Sequence, residues 1–144
     1  MRHVIREVYF LEEMNLSVQF AEGVLKIFDV RKLIARNADY AILAEDEELY
    51  DALSVEEDGE KLVWGDLSLD CEDVWNFGTT KKTEFDGLLS LADATNLWNL
   101  SDSALRKAIS YGKLIPGVDV CKFGKQWVVS YEAMQREYGA PRRK

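Results

Sequence analysis

The chain has 144 residues, 47% of them hydrophobic and 31% charged, a composition that supplies material for a core and argues against disorder. Its formal net charge of −8 opposes non-specific binding to a polyanion, because long-range repulsion would resist approach to DNA. The total hides a division: residues 1–82 carry 19 acidic and 9 basic side chains, net −10, whereas residues 83–144 carry 7 and 9, net +2.

Length allows one ordinary domain or two small ones, and the charge division favours two. Residues 1–10 contain Arg2, Arg6 and Glu7 and no apolar run of signal-peptide length, and no segment is long enough to cross a bilayer. A cytoplasmic protein with no membrane partner is expected. Cys71 and Cys121 lack CxxC spacing and a histidine partner, so they read as two reduced, structural thiols, Cys121 being buried in a strand.

The order of elements begins with a strand over residues 3–11. Leu16, Val18 and Phe20 then alternate with period two, and Ala21-Glu22-Gly23 turns the chain into residues 24–29, which completes a hairpin. Residues 30–43 are helical in character, with Leu33, Ile34, Tyr40 and Leu43 apolar. Glu45-Asp46-Glu47-Glu48 suits the positive start of a short helix running through Leu49-Tyr50. Strands follow at 52–56 and 60–64, joined through Glu57-Asp58-Gly59, where Asp-Gly is a strong hairpin signal. Residues 66–70 and a one-turn helix around Glu72 to Trp75 finish a small antiparallel α+β domain, residues 1–77.

The spacing Leu16-x-Val18-x-Phe20-x-x-Gly23, Asp29-x-x-x-Leu33 and Trp64-Gly65-Asp66-Leu67 with Glu72 and Trp75 resembles a bacterial family of small domains of unknown function. Its members are often encoded beside RelE-like toxin genes, so the resemblance implies a toxin as partner. It transfers no catalytic residue, since the family has no established activity.

Residues 78–87 are polar, include Gly78, and read as a linker. Ser90 then caps a helix over 91–98, with Ala94, Leu97 and Trp98 on its apolar side. Only Asn99-Leu100 separates that helix from a second N-cap, Ser101, followed by Asp102 at the positive end of the next helix. Leu105, Ala108 and Ile109 share one face of this second helix, while Ser103, Arg106, Lys107, Ser110 and Lys113 point away. Gly112 ends it by taking the left-handed conformation. Two short helices joined so tightly must cross steeply, the helix-turn-helix arrangement. Pro116-Gly117 turns the chain into a hairpin around Phe123-Gly124, a wing, and Ser130 caps a last helix over 131–138 with Met134 and Tyr138 inward.

The run Leu91-Ala92-Asp93-Ala94, Leu97-Trp98, Leu100-Ser101, Leu105-Arg106-Lys107-Ala108-Ile109, Gly112-Lys113, Phe123-Gly124-Lys125-Gln126-Trp127 and Tyr131-Glu132-Ala133-Met134 resembles the winged helix-turn-helix of excisionase-like and MerR-like proteins. It is similar to the small modules of toxin–antitoxin and mobile-element regulators. That resemblance implies a winged helix-turn-helix domain over 88–139, a basic tail over 140–144, and binding to double-stranded DNA, with the Ser101 helix in the major groove and the hairpin against phosphates.

The fold class expected is therefore α+β, a small antiparallel-sheet domain followed by a winged helix-turn-helix. In the DNA-binding set, Ser103, Arg106 and Ser110 would meet base edges beyond the Ser101 cap. Lys107, Lys113, Lys122 and Lys125 would hold phosphates, and Arg142-Arg143-Lys144 would follow the backbone or a minor groove. One such module buries little area, so useful specificity calls for a homodimer on two half-sites. The acidic first domain would dimerise or bind a basic RelE-like toxin, making the protein an antitoxin-type autoregulator.

Other chemistry is poorly supported. His3 is the lone histidine, so a triad or histidine-rich zinc site has little to build on and an ordinary strand histidine is favoured. The carboxylates of 45–48, Asp66 and Asp70 lack EF-hand alternation and read better as a helix start and a turn. No Walker or GxGxxG motif occurs. No catalytic residue, metal or cofactor is expected, and no enzyme. Trp64 and Trp75 could line a ligand pocket, but core packing is the stronger expectation. The rival function is a ligand-binding or protein-interaction module whose helix-turn-helix does not read DNA, its Arg106 and Lys107 being a solvated face.

Overall fold

The computed structural model describes residues 2–142 and shows an α+β chain with two hydrophobic cores. One compact unit runs through Phe20 and resumes over Val24–Thr83; the other holds Ala21–Gly23 and the described residues from Glu84 onward.

In the first unit, strands β1 (Ile5–Phe10), β2 (Asn15–Phe20), β3 (Leu25–Asp29) and β7 (Thr79–Lys81) form an antiparallel sheet in that order. The period-two pattern sends Leu16, Val18, Phe20 and Phe28 into the core and leaves Asn15, Ser17, Ile27, Asp29 and Thr79 on the opposite, partly open side. A second sheet, β4 (Ser54–Val55), β5 (Lys61–Trp64) and β6 (Leu67–Asp70), supplies Leu62, Trp64 and Leu69 to the same core. Gly59 in its tight turn has φ +74°, and a Cβ there would lie 2.4 Å from the carbonyl oxygen of Ile5, so only glycine fits.

Helices α1 (Val30–Arg36), α2 (Glu47–Asp51) and α3 (Cys71–Phe77) begin at the carboxylate caps Asp29, Asp46 and Asp70. The helical stretch expected over 30–43 is split. Asn37 stops α1 and caps a 3₁₀ segment, Ala38–Ala44, because its extended backbone interrupts the α ladder. The expected linker is also corrected, since Thr79–Lys81 within it is an edge strand on β3, a suitable place for β-branched polar residues.

Trp64 is fully buried in the core, as the packing reading holds, while Trp75 lies with its ring 3.7 Å from the parallel ring of His3. His3 also donates its backbone N–H to Glu72 Oε2 at 2.6 Å and meets Oε1 through Nδ1 at 2.9 Å. Burial pushes the Glu72 carboxyl up, but these bonds outweigh it and hold it below the ordinary range.

In the second unit, β8 (Leu88–Ser90), β10 (Gln126–Ser130) and β9 (Val120–Phe123) form a three-stranded sheet with β10 central. Against it pack α4 (Leu91–Trp98) and α6 (Tyr131–Tyr138), with α5 (Asp102–Ser110) against α4, all joined in a core of Leu89, Leu97, Trp98, Leu105, Leu114 and Met134 with their neighbours. Strand β8 has no counterpart in the sequence reading; three residues are too few to show a period, and their partner lies some forty positions away.

Candidate nucleic-acid interface

The turn between α4 and α5 is built from local chemistry. Ser90 Oγ accepts from Asp93 N at 3.0 Å to start α4, and Asn99 ends it at φ 53°, a left-handed value that asparagine tolerates. Ser101 Oγ then accepts from Ala104 N at 3.0 Å, so the expected cap is made and that hydroxyl is partly committed to it. Two caps within a dozen residues fix where each helix begins, and Leu97, Trp98, Leu105 and Ala108 lock the pair together by burial.

The outer side of α5 carries Ser103, Arg106, Lys107 and Ser110, all exposed, with each serine three or four positions from each cation, so one surface presents two cations and two hydroxyls. Arg106 Nε donates to Asp102 Oδ2 at 2.5 Å, one turn earlier, with both side chains 57% exposed. The pair was not anticipated, although an acid four positions before an arginine is the spacing that forms it. It orients the guanidinium along the helix and leaves the Nη groups without a partner among the described residues.

Gly112, at φ +80°, reverses the chain after α5, and the N–H groups of Lys113 and Leu114 both return to Ala108 O. Lys113 is exposed but its Nζ stands 4.2 Å from the centre of the Tyr138 ring on α6. The approach to the wing is held by Asp119, an acid that sequence reasoning passed over. It is 5% exposed, accepts from Ile115 N at 2.9 Å, and meets Arg136 Nη2 on α6 at 3.0 Å. The backbone bond from Ile115, with Arg136 beside it, holds this carboxyl below its usual range. Its signal was a lone acid between Val118 and Val120.

At the wing tip, Gly124 with φ +61° makes the turn, and Phe123 beside it is 62% exposed. Lys125 is exposed at this tip, while Lys122 lies back with Nζ 5.5 Å from the Trp127 ring. Cys121, expected to be buried, is exposed: Val120 faces the core, so its neighbour in a pleated strand must face out. The tail is tied down by Trp98 Nε1 donating to Gly139 O at 2.8 Å and Arg142 N donating to Leu97 O at 2.8 Å. Arg142 Nη2 reaches Tyr138 O at 3.1 Å; Arg143 and Lys144 lie outside the described residues.

The expected set therefore divides by freedom. Ser103, Arg106, Lys107 and Ser110 are gathered on one helix side, and Lys125 stands at the hairpin tip. Ser101, Lys113, Lys122 and Arg142 each also serve an internal contact, as does Arg106 through its Nε bond to Asp102, which leaves its Nη edge outward.

Two capped helices, a β-hairpin and a closing helix invite comparison with known DNA-reading scaffolds. Residues 81–143 match the sequence model of a family described as a helix-turn-helix domain. No curated protein and no solved structure matches the chain. The matched stretch takes in the whole of α4 to α6 and the wing, so the C-terminal unit carries a helix-turn-helix, the scaffold type used to present a helix to a DNA groove. Among the described residues, no helix is long and apolar enough to cross a membrane, and no group of three or more His, Cys, Asp or Glu is arranged to hold a metal ion.

Proposed function

We propose that the protein is a sequence-specific, non-enzymatic DNA-binding regulator in which α5 enters a major groove. The observation that carries this reading is the exposed side of α5, where Arg106 and Lys107 stand between Ser103 and Ser110. The Nη edge of Arg106 suits bidentate contact with guanine, and Ser103 and Ser110 reach neighbouring base edges. Lys107 and the wing's Lys125 hold phosphates and set register, with Lys113, Lys122 and Arg142 flanking them. Arg143 extends the same basic tail.

The first unit, rich in acid over residues 1–82, serves as the dimerisation or partner-binding part, and its charge suits a basic protein such as a RelE-like toxin; the chain then works as an antitoxin-type autoregulator in the cytoplasm. A non-catalytic role for that unit is supported by its one thiol, Cys71, which burial pushes up to about 11 and so keeps un-ionised.

The test is a salt-dependent titration on DNA from upstream of the protein's own gene. Arg106→Ala is expected to flatten base preference at one position, losing about 1–3 kcal/mol, and Lys125→Ala to weaken all sequences alike and lower the salt slope by about 1. Curves that coincide with wild type for both variants refute the reading.

A further inference from the structure

The open side of the first unit's four-stranded sheet carries a cleft of about 110 Å³, lined by Asn15, Ile27, Asp29, Lys32, Arg36, Phe77 and Thr79. Its floor is set by strand register: Asn15 lies opposite Asp29 and Ile27 opposite Thr79, so three strands bring these side chains to one face in two adjacent rows. Helix α1 forms one wall, with Lys32 and Arg36 one turn apart, and Phe77 at the end of α3 forms another.

Two features of this cleft call for a ligand. In a segment with a net charge of −10, the basic side chains Arg2 and Arg31 are taken up by carboxylates, Arg2 by Glu60 and Asp70, and Arg31 by Glu13 and Asp29. Lys32 and Arg36 have no carboxylate at ion-pair distance among the described residues. Asp29, the acid in the same lining, is already engaged: Oδ1 accepts from Arg31 N at 2.9 Å and has Arg31 Nε at 3.9 Å. The cations are also accompanied by idle donors. Among the described residues Thr79 Oγ1 meets no hydrogen-bond partner, and Asn15 Nδ2 gives one hydrogen to Glu12 O at 3.1 Å and keeps its second. The Arg36 guanidinium is laid over the Phe77 ring, its Cζ 4.0 Å from the centroid, which restricts its plane before anything binds.

From this geometry we infer that the cleft binds a phosphate group, either inorganic phosphate or the phosphate of a small ester. An arginine fork, an ammonium, a hydroxyl and an amide offer more donors than a carboxylate's two oxygens can use, whereas a tetrahedral dianion takes them all. The volume accepts one phosphoryl group and leaves any ester substituent to project along Phe77. This site is independent of the DNA-reading proposal and stands or falls separately.

The experiment is a titration of the full chain, at constant ionic strength, with inorganic phosphate, ribose 5-phosphate and acetate, read from backbone and Asn15 side-chain amide shifts. Saturable 1:1 binding of phosphate is expected, about tenfold weaker in Arg36→Ala and in Lys32→Ala. It should also weaken in Thr79→Val, which keeps every charge, and stay unchanged in Lys61→Ala outside the cleft. Tighter binding of ribose 5-phosphate assigns the site to an ester, and equal or weaker binding to free phosphate. No saturation, acetate binding as tightly as phosphate, or equal losses in Lys61→Ala and Arg36→Ala overturn the inference.

Discussion

Leu105 and Arg106 are consecutive residues of α5, one buried and one exposed, and replacing each by alanine separates what holds the helix from what the helix presents. Leu105 is fully buried among the second core's residues. Leu105→Ala removes most of a buried side chain and leaves a cavity that a helix pinned by the Ser101 cap and the Gly112 reversal cannot collapse, a cost of about 2–5 kcal/mol. A unit of about 60 residues has only about 3–9 kcal/mol of total stability, so the variant should melt about 10 °C or more below wild type. Arg106, 57% exposed, loses only its one-turn pair with Asp102, about 0.3–0.5 kcal/mol, and alanine is at least as good a helix former. The assay is a thermal melt followed by tryptophan indole resonances. The Trp98 N–H, bonded to Gly139 O, reports the second core, and Trp64 reports the first. A Trp98 transition that stays put in Leu105→Ala, or moves as far in Arg106→Ala, would refute this division of labour.

Three further outcomes follow from particular sites. Because the folded Asp119 carboxyl sits below its ordinary range, its contribution is present above an unfolded pKa of about 3.9 and disappears as pH falls through the folded value. Urea unfolding of Asp119→Asn should therefore lose part of the acid dependence seen in wild type, and an identical pH profile would contradict the assignment. A thiol reagent should modify one cysteine rapidly in the folded protein, the exposed Cys121; Cys71, pushed up to about 11 by burial, should react only on unfolding. Gly59→Ala should destabilise the first unit by more than about 1 kcal/mol in chemical denaturation, since it adds both a left-handed penalty and a contact with Ile5 O.

The helix-turn-helix was legible because its signals are local. Ser90, Ser101 and Ser130 bond to N–H groups three residues on, and the apolar positions of α4 to α6 repeat within one or two turns. The hairpin turns at Gly59 and Gly124 were equally plain, each needing a glycine at a positive φ. The phosphate-sized cleft had no such signal, for Asn15, Lys32, Arg36 and Thr79 are scattered and only strand register and the placement of α1 bring them together.

From the chain alone came the capped helices, their polar and apolar sides, and the separation of charge between the halves, all set by contacts within about four residues or by composition. Tertiary structure decided that Thr79–Lys81 joins a sheet, that Leu88–Ser90 completes the wing, and that Cys121 faces outward. It also decided which cations stay unpaired. The physical reason is that strand pairing, burial of one strand face and neutralisation of one charge depend on partners up to dozens of residues distant, whose approach no short-range pattern encodes.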